Sequence, residues 1–218
     1  LIAARFRLDA EAVPVKLADC HSKLFTARSS RVRPGTDDKI LASWNGLMLA
    51  TMAEASRVIT NPEGATVYSP PRNDEYYKLA AHNAEFLLTH LRPNGKLKHS
   101  WRDGKTTEAV FLEDYAALIL GLLELYQTDF KDRWFASAKE LADEMIELFG
   151  DPAGGFFDTS KDGEALLLRP KDVQDNATPS GNALACEALL KLAEFTGDGK
   201  YRDRAGKSLG LILNFAVR

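Results

Sequence analysis

The chain has 218 residues, 45% of them hydrophobic, with 28 Lys and Arg against 31 Asp and Glu and a formal net charge of -3. That is enough apolar material for the core of one domain or two small ones. Both signs of charge are interspersed, so no basic patch points to nucleic acid, and the apolar run nearest to membrane-spanning length, 110–126, is broken by Glu113, Asp114 and Glu124.

The chain opens "LIAARFRLDAEAVPV", without an initiator Met or a signal-peptide pattern, and reads as a piece of a longer, cytoplasmic protein. Apolar spacing predicts a helix from about Val15 to Arg28. Cys20 and Cys186 lie far apart, in no CxxC or metal-ligand spacing, and are expected as buried reduced thiols.

Three similar segments follow. "TDDKILASWNGLMLATMAEASRV" precedes "NDEYYKLAAHNAEFLLTHL", "VFLEDYAALILGLLELYQTD" precedes "DRWFASAKELADEMIELFGD", and "DNATPSGNALACEALLKLAEFTGD" precedes "KYRDRAGKSLGLILNFAV". Each pair reads as an apolar helix followed by an amphipathic one. Asn45, Asp114 and Asn182 align at spacings of 69 and 68 residues, the mark of a stacked helical array. The first helix of each pair is apolar nearly all round and belongs inside; the second carries a charged stripe (Lys139, Glu140, Asp143, Glu144, Glu147) and belongs outside. The expected fold is all-α, an arc of a two-layered (α/α)6 toroid with short β-hairpins between units.

Helix starts have local causes. Thr36 can cap the first inner helix, Asn73 or Asp74 the helix after it, and Thr178 followed by Pro179 reads as a cap plus a proline in the first turn. Gly35, Gly150 and Gly197 fall where helices stop or the chain turns. "GKLKHSWRDGKTTEAVF" and "GGFFDTSKDGEALLLRPKD" read as β-hairpins with Asp-Gly turns, at the end of the array where the inner helices begin.

That end gathers the polar candidates. Asp38, Glu113, Asp114 and Asp175 are the candidate catalytic carboxylates. Trp44, Asn45, Arg102, Tyr115, Arg169, Ser180 and Asn182 are candidate substrate-binding residues. Amides and carboxylates hydrogen-bond hydroxyls, and aromatic faces cover the apolar side of a sugar ring. A structural alternative stands beside each. Asp37 and Asp38 favour any helix N-terminus. Trp44 and Tyr115 serve equally as core. Glu113 and Asp114 are separated by about 100° of helical rotation, so only one can face a ligand while the other caps or pairs. Of the histidines, His21, His82 and His90 fall on helices with solvated faces; His99, in the first hairpin, is near the proposed mouth. No HExxH, P-loop, GxGxxG or GxSxG occurs, so no metal or cofactor is expected.

"RSSRVRPGTDDKILASWNGLMLATMAEASRV", "SWRDG", "FLEDYAALILGLLELYQTD", "GGFFDTS" and "RPKDVQDNATPSGNALACEALLKLAEFTGD" resemble the spermatogenesis-associated, thioredoxin-domain-containing proteins, from about Leu17 to the end. The resemblance implies a thioredoxin-like domain joined to a toroid similar to those of N-acylglucosamine 2-epimerases, cellobiose 2-epimerases and six-hairpin glycosidases. Residues 1–218 carry only the toroid part, with about three of six hairpins and no thioredoxin-like cysteine motif. Such a partial toroid leaves its mouth open or closes by self-association. The epimerases use histidines on inner helices or adjacent loops, and these inner helices carry none. The functional expectation is a carbohydrate-active domain, epimerase-, isomerase- or glycosidase-like, with a sugar-like small molecule as partner; the alternative is a non-catalytic module that binds a protein or scaffolds the thioredoxin-like domain.

Overall fold

A computed structural model describes residues 2–7, 9–59, 73–164 and 167–216. The chain divides into two compact units, Leu1–Asp38 and Lys39–Arg218. The first holds α1 (Ile2–Phe6) and α2 (Ala12–Ser29), close to the predicted 15–28 helix. Cys20 is exposed on α2, against expectation: the apolar residues here, including Leu17 and Leu24, are themselves exposed and supply no interior for it.

The second unit contains β1 (Ile40–Leu41), α3 (Ala42–Val58), α4 (Asp74–His90), β2 (Ser100–Arg102), β3 (Lys105–Thr106), α5 (Leu112–Asp129), α6 (Asp132–Phe149), α7 (Gly181–Thr196) and α8 (Gly199–Ala216). Successive helices pair as α3/α4, α5/α6 and α7/α8, and α5 packs between α3 and α7. Twelve of the eighteen residues of α5 are buried, as an apolar helix flanked on both sides requires. The buried residues of α6 are Trp134, Ala138, Leu141, Ala142, Met145 and Phe149, one stripe at helical spacing. The predicted inner and outer layers are therefore present, and the fold is the all-α hairpin array.

Close approach fixes how the inner helices meet. A Cβ on Gly46 of α3 would lie 2.6 Å from the carbonyl carbon of Ala117, and one on Gly121 of α5 would lie 2.8 Å from the Gly46 oxygen. The two glycines let the backbones of α3 and α5 touch. A three-armed charge cluster ties the far ends of the inner helices. Lys191 of α7 donates to Glu124 of α5 at 2.6 Å, and Arg57 of α3 pairs with the same carboxylate and donates to the Glu124 carbonyl at 2.7 Å.

Several helix starts differ from the local reading. Thr36 does not cap α3: Ile40 and Leu41 form a strand, paired with Trp101 and Ser100, and the helix begins only at Ala42. A β-branched residue next to a waiting strand edge outweighs the cap signal. Asp37 and Asp38 consequently sit in the chain leading to that strand, not in a helical first turn. Asn73 does cap α4, accepting from the Glu75 and Tyr76 N–H groups. At α7 the cap is Ser180, whose Oγ accepts from Ala183 N–H at 3.1 Å, so Thr178 and Pro179 precede the helix. Gly197 ends α7 in the left-handed conformation (φ 68°).

The first predicted hairpin forms, turning at Asp103 and Gly104 with φ of 49° and 77°. The second does not. Among the described residues, that segment makes only single bridges, Phe156 with Gly150 and Thr159 with Phe111; Ala165 and Leu166 lie outside them. The segment is tied both to the end of α6 and to itself: Phe157 N–H donates to the Phe149 carbonyl at 2.8 Å and Arg169 to the Leu148 carbonyl, while Asp158 N–H donates to the Pro170 carbonyl at 2.9 Å and Arg169 to the Thr159 carbonyl.

Candidate functional site

A cavity of about 460 Å³ opens where α5 and α7 begin. The residues lining it include His99, Phe111, Glu113, Asp158, Asp172, Gln174, Asn176, Thr178 and Ser180. Gly181 sits at a close approach: a Cβ there would lie 3.1 Å from Leu112 and 3.2 Å from Glu113 N, so the starts of α5 and α7 meet tightly at this glycine.

His99 is held on a buried carboxylate. Its Nδ1 lies 3.0 and 3.1 Å from the two oxygens of Asp114, which is 0% exposed. Asp114 also accepts from Phe111 N–H at 3.0 Å, reaching back over the first turn of α5, and from Ser43 N–H of α3 at 3.2 Å. Phe111 meets the imidazole edge to face, with centroids 5.0 Å apart. The hydrogen bond to Asp114 raises the His99 pKa above its ordinary value, although burial opposes it.

Two carboxyls at the cavity are pushed the other way from most surface acids. Burial, then repulsion from Asp114, raises the Glu113 pKa, while His99 pulls it down. Burial raises that of Asp158 and the charge of Asp172 adds to it, against the Asp172 N–H that donates to Asp158 at 2.8 Å. Asp158 exerts part of the repulsion felt by Glu113. A raised carboxyl beside a histidine seated on a carboxylate is an arrangement that can give and take protons.

Of the candidates read from the sequence, the structure brings Glu113 and Ser180 to this cavity. The adjacent acids divide as rotation requires: Glu113 faces the cavity, and Asp114 is buried behind it. Asp175 is exposed beside the rim and accepts from Ser180 N–H at 2.9 Å. Asn182, 1% exposed, accepts from Phe156 N–H at 2.8 Å and donates to the Phe156 and Asp172 carbonyls, so it pins the loop before α7 and does not line this cavity. Asn45 donates to the Leu41 carbonyl at 2.9 Å and steadies the start of α3. The recurring polar residue of the repeat thus bonds backbone groups near a helix start in all three units.

Five candidates lie elsewhere. Trp44 is 61% exposed on α3 and lines neither cavity. Arg102 is exposed at the hairpin turn beside Asp103. Arg169 stacks on Phe157, 4.2 Å from the ring centroid, and holds the loop. Tyr115 is buried, donates to Glu144 at 3.1 Å and lines a second cavity of about 750 Å³ together with residues 94–98, 108–111, 159–160 and 162–164. Asp38 is exposed and is the last residue of the first unit. Sequence reasoning does not single out Asp158. Its only signal there is its place, an acid directly behind two phenylalanines in the segment leading into an inner helix.

No protein-family model matches the chain. Spermatogenesis-associated protein 20 of Homo sapiens is 35% identical over 238 aligned positions, which cover 100% of this chain and 27% of that protein. The chain therefore spans about a quarter of the length of the curated relatives it matches. Among solved structures, an inactive variant of the α-1,6-mannanase GH76A of a Salegentibacter species superposes with a TM-score of 0.61 at 17% identity, over 79% of this chain and 47% of that one. Cellobiose 2-epimerase of Bacillus thermoamylovorans superposes with 0.61 at 15% identity, over 80% and 44%. These likenesses show the fold: the hairpins are those of the α/α toroid enzymes. Along its whole length the chain is a homologue of one segment of spermatogenesis-associated protein 20, and about four fifths of it shares the fold of the six-hairpin α/α toroid enzymes.

Proposed function

We propose that the cavity between α5 and α7 is the substrate site of a carbohydrate-active domain, epimerase-, isomerase- or glycosidase-like. The observation that carries this reading is the meeting of Glu113, Asp158 and the Asp114-seated His99 at one cavity of about 460 Å³. That volume lies in the range of small-molecule sites, roughly 300–1,000 Å³. The lining side chains of Gln174, Asn176 and Thr178 offer the donors and acceptors that sugar hydroxyls need, and Phe111 adds an aromatic ring to the lining. Neighbours in fold lend support. One is a mannanase whose variant with two consecutive aspartates changed to asparagine is inactive and was solved with α-1,6-mannotriose; others are cellobiose 2-epimerases and a D-mannose isomerase. This chain carries its own consecutive acids, Glu113 and Asp114.

In an epimerase or isomerase, a base takes the proton from the carbon next to the sugar carbonyl, and an acid returns one. Glu113 and His99 are the pair for that exchange. In a hydrolase, one carboxyl protonates the glycosidic oxygen while a second supports attack at the anomeric carbon, which assigns Glu113 and Asp158. The test is a panel of mono- and disaccharides with the full-length protein in heavy water, followed by calorimetry and NMR. Deuterium appearing beside the carbonyl marks the first chemistry, and new reducing ends mark the second. Glu113→Gln should abolish either. Neither binding nor product across the panel refutes the reading and leaves the scaffolding alternative.

A further inference from the structure

We infer that Asp114 is a positioning residue: it fixes the hydrogen of His99 on Nδ1, so that Nε2 is the proton-transferring atom at the cavity. The inference rests on the function proposed above for its catalytic meaning, but its structural content stands alone. Read from sequence, Asp114 is one of two acids of equal standing. In the fold it is fully buried and spent entirely on the protein's own N–H groups, those of Phe111, Ser43 and the imidazole. No face of it is left for a substrate. Each Asp114 oxygen already accepts a backbone N–H, Ser43 on one and Phe111 on the other, so the carboxyl group is the acceptor and the hydrogen on the His99 contact belongs to Nδ1. In the neutral ring Nε2 then carries the lone pair, and among the described residues no group hydrogen-bonds it.

The same carboxylate joins two repeats. Ser43 N–H comes from the first turn of α3, while Phe111 opens α5. The imidazole is therefore oriented by the junction of two hairpins, and a shift of α3 along α5 would move its anchor. The charged groups acting on His99 are Asp114 and Glu113 of α5 and Lys39 before β1.

Asp114→Asn is the smallest change that tests this. The amide has the size of the carboxyl, but Ser43 and Phe111 donate to different oxygens of Asp114, so the amide oxygen keeps one of these N–H groups and the NH₂ replaces the other acceptor. Both oxygens lie within 3.1 Å of Nδ1, so the NH₂ also opens to Nδ1 an acceptor role that the carboxylate denies it, with the hydrogen then on Nε2. Nitrogen-15 NMR of labelled imidazoles reads this directly. The native protein should show neutral His99 with hydrogen on Nδ1; the variant should show a share of the Nε2–H form that the native protein lacks, with the histidine titrating at lower pH. On a substrate from the sugar panel, kcat should fall by about 10²-fold or more with little change in KM, the scale of one acid–base group. Hydrogen on Nε2 in the native protein overturns the inference, and so does a variant whose His99 keeps both the native tautomer and the native titration. The native spectrum decides even if the variant does not fold. A native Nδ1–H tautomer in a protein that turns over no sugar leaves the positioning intact and removes the proposed function.

Discussion

Glycine to alanine inside a helix ordinarily stabilises a protein, because alanine is favoured in a helix by about 1 kcal/mol. At Gly46 the structure reverses the sign. A methyl group there would lie 2.6 Å from the Ala117 carbonyl carbon, 2.7 Å from Leu118 N and 2.8 Å from the Ala117 oxygen, all backbone atoms in the middle of α5. No side chain can swing away, so relief requires α3 and α5 to separate. Overpacking of this kind costs about 1–3 kcal/mol and can exceed that when only backbone can move. After the propensity gain, a net loss of about 2 kcal/mol is the expectation for Gly46→Ala. Gly206 is the matched control: it lies within α8, is exposed, and a methyl group added there would meet nothing within 4 Å. Gly206→Ala should gain about 0.5–1 kcal/mol. Urea denaturation of both variants beside the native protein reads the difference, since small proteins lose about 1–3 kcal/mol per molar urea and the Gly46 midpoint should drop by roughly 1 M. A Gly46→Ala protein as stable as the native one would refute the close α3–α5 seam.

Three further outcomes follow from particular contacts. Asn182→Ala should cost about 2–4 kcal/mol in urea denaturation, because the Phe156 N–H and the Phe156 and Asp172 carbonyls lose their partner; a loss below about 1 kcal/mol would speak against the anchoring role. Glu124 tests pH dependence. Burial pushes its pKa up, but hydrogen bonds and charge from Lys191 and Arg57 outweigh burial and hold it below the ordinary 4.5. A depressed carboxyl stabilises above its unfolded value and loses that contribution as pH falls through its folded value. The stability gap between native protein and Glu124→Gln should therefore narrow below about pH 4.5, and a constant gap from about pH 7 to about pH 3 contradicts the assigned pairing. Glu113 has the opposite sign. Its raised pKa means that ionising it costs folding stability as pH rises above the unfolded value. Glu113→Gln should melt higher than the native protein at about pH 7 while losing turnover, as residues held for chemistry do; a lower melting temperature would mark it as structural.

The apolar periodicity of this chain determined by itself that helices pair, which of each pair is covered and where most of them stop. Those are local matters: Asn73 finds its N–H groups two and three residues on, and the α6 stripe needs only helical geometry. The 69- and 68-residue spacings further singled out the equivalent positions Asn45, Asp114 and Asn182. Only the tertiary structure decided what those positions do, because their partners lie far away in sequence: Ser43 is 71 residues before Asp114, and Phe156 is 26 before Asn182. The same distance effect turned "TDDKIL" from a capped helix start into chain leading to a strand, since Ile40 pairs with Trp101. It also changed the cast at the cavity. His99 and Asp158 come to Glu113 from loops whose course is set by packing on α5 and α6, and a loop's path is not written in its own periodicity.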